Sequence, residues 1–114
     1  MQRTDAVRLR HIVDAAAEAM AFARARSRKD LDADRQVNLS VVHLLEIIGE
    51  ASKGVSEECR AAHPEIAWRK MAAMRDRLIH GYFDVNLDVV WETVTQDLPP
   101  LVAQIQRILA PDQP

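Results

Sequence analysis

Residues 37–54, VNLSVVHLLEIIGEASKG, decide the fold, because their apolar side chains recur every three or four positions. That spacing places the apolar side chains on one face of an α-helix, whereas a half-buried β-strand would alternate apolar and polar residues. Lys53 in the last turn and Gly54 just beyond it are typical of a helix C-terminus. The predicted inner face comprises Val37, Val41, Leu44, Leu45 and Ile48.

One glycine lies inside this predicted helix. In a helix interior, Gly49 costs roughly 1 kcal/mol of stability relative to alanine. The absence of a side chain also allows another backbone to approach closely, which is the simplest compensation for that cost. We therefore expect a second helix to pack directly against Gly49.

The residues before this segment predict one long helix. It begins after Thr4, with Thr4 or Asp5 as its cap, because these side chains accept hydrogen bonds from the first free amides of a helix. The polar stretch 27–34 predicts a loop that leads into the second helix. The apolar stripe of the first helix comprises Leu9, Ile12, Val13, Ala16, Met20 and Ala23.

Three further helical segments follow residue 54. Ser56 begins a short helix that Pro64 terminates. A longer helix is predicted from about residue 66 to about residue 82, and a final one continues with a kink across residues 99–100, both proline. The last apolar stripe comprises Leu87, Val90, Trp91, Val94, Leu98, Leu101, Val102, Ile105, Ile108 and Leu109.

Together these segments predict an all-α fold, an antiparallel bundle of four main helices with a short extra helix. A chain of 114 residues suits a single hydrophobic core. We place one helical domain at residues 1–110 and expect the tail, residues 111–114, to fray. The sequence contains no internal repeat and no second domain.

Composition narrows the functional classes. A net charge of −2 argues against broad binding to nucleic acid, so any contact with RNA has to be local. Cys59 is the only cysteine, which excludes an internal disulfide and indicates a reducing, cytoplasmic location. Neither a signal peptide nor the roughly 20 apolar residues of a membrane span are present. The four histidines are scattered, so we expect no metal and no cofactor.

The candidate chemistry is concentrated in residues 75–82, RDRLIHGY. Arg75 is a permanent planar cation that binds phosphate through two donors, and His80 can exchange a proton near neutral pH. On a regular helix, five residues turn the chain by about 140°, so these two side chains would not point at one phosphate. Either the helix ends or distorts near Gly81, or a second chain supplies the complementary group, or the two residues have unrelated roles. A two-fold dimer would place two such pairs around one cleft, and we expect a homodimer.

These residues also have ordinary structural interpretations. A histidine before a glycine can cap a helix C-terminus, and a tyrosine such as Tyr82 is often a packing residue. Basic side chains are often solvated charges on a helix face. They form two clusters here, Arg24, Arg26, Arg28 and Lys29, and then Arg69, Lys70, Arg75 and Arg77.

The spacing Arg-x4-His-x-Tyr, formed by Arg75, His80 and Tyr82, resembles the motif of HepT-like toxins, which are small all-helical ribonucleases of the HEPN superfamily. The resemblance is not confined to the motif. It extends, in the same order, to LRHI at 9–12, IGEASK at 48–53, PEIAW at 64–68, VVW at 89–91 and DLPPL at 97–101.

This resemblance implies a metal-independent endoribonuclease in which Arg75 and His80 are the catalytic pair. Asp76 would orient one of these two side chains, and Arg77 would contact the RNA backbone unless it is a plain surface charge. Tyr82 would accept AMP groups from a partner nucleotidyltransferase, the antitoxin. One alternative is a non-catalytic helical binding module that serves as partner and modification substrate of that enzyme. A plain helical dimer whose motif has lost its role is the other.

Overall fold

The computed structural model describes residues 1–80 and 84–110, and within them the regular elements are helices, apart from two short paired strands. The all-α prediction is confirmed. The elements are α1 (Arg3–Arg24), α2 (Arg28–Ala33), α3 (Arg35–Lys53), α4 (Glu57–Ala62), α5 (Trp68–Ala72), α6 (Met74–Leu78), β1 (Ile79–His80), β2 (Asp84–Val85), α7 (Leu87–Glu92), a π-helix (Thr93–Asp97) and α8 (Leu98–Leu109).

The core lies between α1, α3 and α8. α3 packs along α1, and α8 covers another side of α1. The predicted inner face of α3 is buried in full, and Lys53 and Gly54 end that helix as expected. Side chains that are completely removed from solvent join the three helices, among them Leu9, Ile12, Leu45, Ile48, Leu98 and Ile105. The prediction for residues 37–54 is therefore confirmed.

The predicted cap of α1 is wrong. The helix begins at Arg3, and Gln2 occupies the N-cap position. Asp5 lies in the first turn and is 2% exposed, because its carboxylate accepts hydrogen bonds from the backbone amide (2.8 Å) and the hydroxyl (2.6 Å) of Ser56. The Ser56 hydroxyl in turn accepts from the amide of Cys59 at 3.1 Å and begins α4, as predicted. One carboxylate thus connects the first helix to the start of the fourth.

The loop predicted at residues 27–34 is also wrong, because these residues contain α2. The backbone amide of Ser27 donates to the Asp30 carboxylate at 2.7 Å, which stabilises the first turn. Only Leu31 of this helix is buried, so the segment has no apolar stripe that periodicity could detect. Asp34 then begins α3 by accepting from the amide of Val37 at 3.2 Å.

Gly49 is buried where α3 meets α5 and α6, as expected. A β-carbon at this position would lie 3.1 Å from the carbonyl oxygen of Met71 and 3.3 Å from the β-carbon of Met74. These distances are shorter than ordinary van der Waals contacts, so the missing side chain permits the observed approach. The close packing predicted from this glycine is confirmed.

The single helix predicted from residue 66 to residue 82 is wrong. Ala73, with φ −88° and ψ 11°, separates α5 from α6, and α6 ends at Leu78. Ile79 is extended, with φ −116° and ψ 122°. The Leu78 carbonyl accepts a hydrogen bond from the amide of Asn86 at 2.7 Å, and β1 pairs with β2. Hydrogen bonding to residues later in the chain thus replaces the last predicted helical turn.

The last apolar stripe continues on one face across residues 99–100 as predicted, because its residues are buried or partly buried along α7, the π-helix and α8. The expected kink at residues 99–100 takes another form. Pro99 and Pro100 lie in the first turn of α8, and the wider π-helical turn precedes them. Prolines have no amide hydrogen to donate, and the π-helix accommodates the altered hydrogen bonding.

No helix among the described residues is long and apolar enough to cross a membrane. The tail at residues 111–114 lies outside the described residues, so the expectation that it frays stays a prediction.

The carboxylate of Asp5 gives a direct test of this packing. Asp5→Ala should lower the free energy of unfolding by roughly 2–4 kcal/mol, because it leaves the amide and hydroxyl of Ser56 without their charged acceptor. Urea denaturation followed by circular dichroism measures the change. The control is Glu92→Ala, an exposed position on α7, for which we expect a change within about 0.5 kcal/mol. Equal stability of the two variants would contradict the proposed role of Asp5.

Candidate functional site

α6 holds two of the motif residues at the surface. Met74 and Leu78 are buried and fix the inner face of this short helix. Arg75 and Asp76 are exposed on its outer side. Arg75 can therefore bind a phosphate from solvent, whereas Met74 and Leu78 pack against the core.

His80 lies on β1, two residues after the end of α6. The angular argument for a regular helix therefore does not apply, because the helix ends between Arg75 and His80. Of the three explanations for their spacing, the structure supports a helix that ends before the histidine, and earlier than expected. Tyr82 and its neighbours at 81 and 83 lie outside the described residues.

The strand register identifies a carboxylate that sequence reasoning missed. His80 pairs with Asp84, and Ile79 pairs with Val85. Asp84 therefore joins Asp76 as a candidate partner for His80. The only sequence signal was indirect, a glycine at position 81 between two short segments that contain β-branched residues.

Arg77 is placed differently from Arg75. Its side chain is partly buried, and its Nη1 atom is buried without a hydrogen-bond partner among the described residues. A buried N–H without an acceptor is costly. The structure thus does not present Arg77 as a fully solvated charge, the ordinary interpretation of this residue.

Two side chains of the first basic cluster bind groups at the ends of helices. Arg26 donates to the carbonyl of Phe22 at 2.7 Å. Arg28 forms ion pairs with Asp32 at 2.9 Å and with Asp88 at 2.7 Å, which connects α2 to α7. These contacts favour the structural interpretation for this cluster.

The second basic cluster is only partly neutralised. The Lys70 ammonium lies 3.2 Å from a carboxylate oxygen of Asp97, which connects α5 to the π-helix. Arg69 and Arg75 are exposed and make no ion pair with the described residues. The exposed positive charge of this cluster that no described carboxylate neutralises is therefore carried mainly by these two arginines.

A reactive cysteine and a metal site are two other candidate chemistries, and the described residues support neither. Cys59 is buried, and burial raises the pKa of its thiol, which keeps the sulfur protonated and unreactive. Within residues 1–80 and 84–110, no group of three or more histidine, cysteine, aspartate or glutamate side chains is arranged to hold a metal ion.

Comparisons with known proteins identify the family of this chain. The model of the family "Ribonuclease HepT-like" matches residues 12–108. A relative from Thermococcus cleftensis named "Probable ribonuclease HepT" is 40% identical over 108 residues, which cover 95% of this chain and 98% of the relative. No solved structure gives a significant match.

Two further relatives carry RNase names. A "Putative RNase" of Caldanaerobacter subterraneus is 42% identical over 83 residues, which cover 73% of this chain and 74% of the relative. A protein of Methanocaldococcus jannaschii, named for gamma-glutamylcyclotransferase as well as RNase, is 32% identical over 109 residues, which cover 96% of this chain and 49% of that protein. With the family model matching most of its length, the chain belongs to the HepT-like ribonuclease family.

Proposed function

We propose that this protein is an endoribonuclease that needs no metal ion, with Arg75 and His80 as its catalytic pair. Membership of the HepT-like ribonuclease family is the observation that carries the proposal. The geometry is compatible with it, because an exposed arginine on α6 is followed directly by a strand that contains the histidine.

In the proposed reaction, an RNA 2′-hydroxyl attacks the adjacent phosphorus. The 2′-oxygen–phosphorus bond forms, the bond from phosphorus to the 5′-oxygen breaks, and the products are a 2′,3′-cyclic phosphate and a 5′-hydroxyl. His80 removes the proton from the nucleophile or supplies one to the leaving oxygen. Arg75 stabilises the negative charge that develops on the phosphoryl oxygens. Arg77, the next basic residue of α6, contacts the RNA backbone through the part of its side chain that solvent reaches.

A homodimer is part of this proposal. Because His80 lies on a strand, helix geometry no longer argues against a site built from a single chain. Cleavage of one phosphodiester still needs both an acid and a base. Two copies related by a two-fold axis would supply two histidines and two arginines to one cleft. We expect sedimentation of the protein as a dimer to accompany cleavage activity.

We further propose that the nuclease is the toxin of a toxin–antitoxin pair, and that a nucleotidyltransferase is its antitoxin. The non-catalytic binding module remains the rival function. Growth arrest on expression that His80→Ala abolishes supports the toxin, provided the variant still folds. Co-purification with a nucleotidyltransferase without any RNA cleavage would instead support the binding module.

The first prediction concerns the catalytic pair. Arg75→Ala and His80→Ala should each reduce the cleavage rate by about 10²-fold or more, because each removes a group that acts in the transition state. Arg75→Lys should also be poor, since a single ammonium cannot donate two parallel hydrogen bonds. The assay is cleavage of a labelled RNA in excess chelator, with product ends identified by mass spectrometry.

Arg24→Ala is the matched control, because it removes an exposed arginine that lies outside the motif, at the C-terminal end of α1. It should cleave like the wild type, and circular dichroism should show unchanged helicity in all variants. Full activity of the His80 variant, or loss of wild-type cleavage in chelator, would contradict the proposed chemistry.

The second prediction separates the two carboxylates near the motif. Both carboxylates are exposed, but Asp84 is paired with His80 in the strand register, whereas Asp76 lies on α6. A nearby carboxylate stabilises the protonated imidazole. Asp84→Asn should therefore move the histidine limb of the pH–rate profile to lower pH, while Asp76→Asn should move it less. A larger shift in the Asp76 variant would assign the orienting role to Asp76, as the sequence suggested.

The third prediction concerns Tyr82. A phenol with a pKa near 10 is a weak acid or base at neutral pH, so we propose that Tyr82 is the AMP acceptor and not a catalytic group. AMP attached there would add a bulky group and a negative phosphate to the motif, and that phosphate would repel RNA. Tyr82→Phe should retain cleavage yet gain no AMP-sized mass when co-expressed with the nucleotidyltransferase. Persistence of those mass additions in the phenylalanine variant would place the acceptor elsewhere.

A further inference from the structure

Asn86 lies at the junction of β2 and α7, and it makes three hydrogen bonds there. Its backbone amide donates to the Leu78 carbonyl at 2.7 Å. Its side-chain oxygen accepts from the amide of Val89 at 3.2 Å, and its own carbonyl accepts from the amide of Val90 at 3.1 Å. One residue thus connects the end of α6 to the first turn of α7.

The bond to the Leu78 carbonyl extends the pairing of the two strands. Leu78 and Asn86 are the next pair in the register to which His80 and Asp84 belong. Each strand has only two residues. A two-stranded hairpin of this size is at best marginally stable in water. The bond from Asn86 therefore adds one further pair to a very short ladder.

Both elements that Asn86 connects are fixed to the core. Leu78 of α6 and Val90 of α7 are completely buried. α7 is also held to α2, because Arg28 and Asp88 form an ion pair at 2.7 Å. The start of α7 is thus attached to the rest of the bundle, and the amide of Asn86 connects the end of α6 to it.

The side chain of Asn86 stabilises the conformation that this connection requires. Asn86 is extended, with φ −82° and ψ 93°, whereas the residues that follow it are helical. Asparagine is favoured at such an N-cap position, because its side-chain oxygen satisfies one of the free amides of the first helical turn. Without that oxygen, the first turn of α7 opens more readily, and the amide that binds the Leu78 carbonyl moves with it.

We propose that Asn86 is a positioning residue that holds the strand containing His80 in a fixed place relative to Arg75, an assignment that rests on the proposed function. Arg75 lies on α6, three residues before Leu78, and His80 lies on β1, two residues after it. The carbonyl that Asn86 binds is therefore at the point where the chain changes from helix to strand. That bond fixes the direction in which the chain leaves α6.

The expected effect of losing Asn86 is on the rate of cleavage and not on the binding of RNA. A displacement of about 1 Å at a catalytic group can cost on the order of 10²-fold in rate. Arg75 keeps its place, because Met74 and Leu78 hold the inner face of α6 in the core. Phosphate binding by Arg75 should therefore persist when the strand is displaced.

The test compares Asn86→Ala with Asn86→Ser in the RNA cleavage assay. Asn86→Ala removes the side-chain acceptor, so kcat should fall about 10-fold or more while KM stays within about two-fold of the wild-type value. Serine is about as good an N-cap as asparagine and is also neutral. Asn86→Ser should therefore retain most of the wild-type kcat.

Asp34→Ala is the matched control. The Asp34 side chain accepts from the amide of Val37 at 3.2 Å, which is the same kind of cap at the same distance, at the start of α3. The hydrogen bonds of Asp34 with other described residues connect it to α2 and α3 and not to the strands. Asp34→Ala should lower the stability of the fold to a similar degree as Asn86→Ala, yet leave kcat unchanged.

Amide hydrogen exchange measured by NMR gives a readout that does not depend on cleavage. The amide at position 86 should be protected in the wild type, because it donates to the Leu78 carbonyl. Asn86→Ala should reduce this protection by about 10-fold or more, and Asn86→Ser should largely keep it. Asp34→Ala should leave it unchanged.

Every outcome decides the role of Asn86. Unchanged protection in Asn86→Ala overturns that role, whatever the rate of cleavage. Lost protection with an unchanged kcat also overturns it and leaves the nuclease standing. An equal loss of kcat in Asp34→Ala assigns the effect to general destabilisation, which overturns it too.

Two further cases keep this test separate from that of the proposed function. If the wild type cleaves no RNA, the proposed function is wrong, and protection at position 86 alone decides whether Asn86 holds the strand. If Asn86→Ala does not fold, Asn86→Gly removes the same acceptor at a smaller cost to stability. The same losses of kcat and of protection are then expected of Asn86→Gly, and their absence would overturn the role.

Discussion

The close contact at Gly49 is the constraint on which the placement of the candidate site depends. A β-carbon there would lie 3.1 Å from the carbonyl oxygen of Met71, so a side chain would push α5 and α6 away from α3 by a few tenths of an ångström. With glycine they lie directly against α3, Met74 and Leu78 enter the core, and Arg75 is directed outward. The cost of a glycine inside a long helix is thus offset by the packing of a second element, and that element positions the charged residues.

The end of α6 is fixed by bonds to the following segment. The amide of Asn86 donates to the Leu78 carbonyl at 2.7 Å, and the side chain of the same residue accepts from the amide of Val89 and begins α7. α7 is held to α2 by the Arg28–Asp88 ion pair. The strands that contain His80 and Asp84 are therefore anchored where they meet α6 and α7, although each is only two residues long. A short hairpin alone would be marginally stable.

The sequence by itself determined the features that depend on local spacing and composition. It predicted the all-α fold, the inner face of α3 with its end at Gly54, the start of α4 at Ser56 and the packing at Gly49. These follow from a helical period of 3.6 residues and from side-chain chemistry at helix ends. The family, too, was recognisable from a motif and its surrounding pattern.

Only the tertiary structure decided the features that depend on residues distant in the chain. Asp5 meets Ser56 across 51 positions, so it does not cap its own helix. α2 buries a single residue, and its ion pair to Asp88 spans 60 positions. The last turn predicted for the motif helix is replaced by strand pairing, which brings Asp84 opposite His80. Periodicity shows which face of a segment is apolar. It does not show which distant residue will pair with a backbone hydrogen-bonding group or with a charged side chain, and in this protein those pairings determine where the elements end and how they are connected.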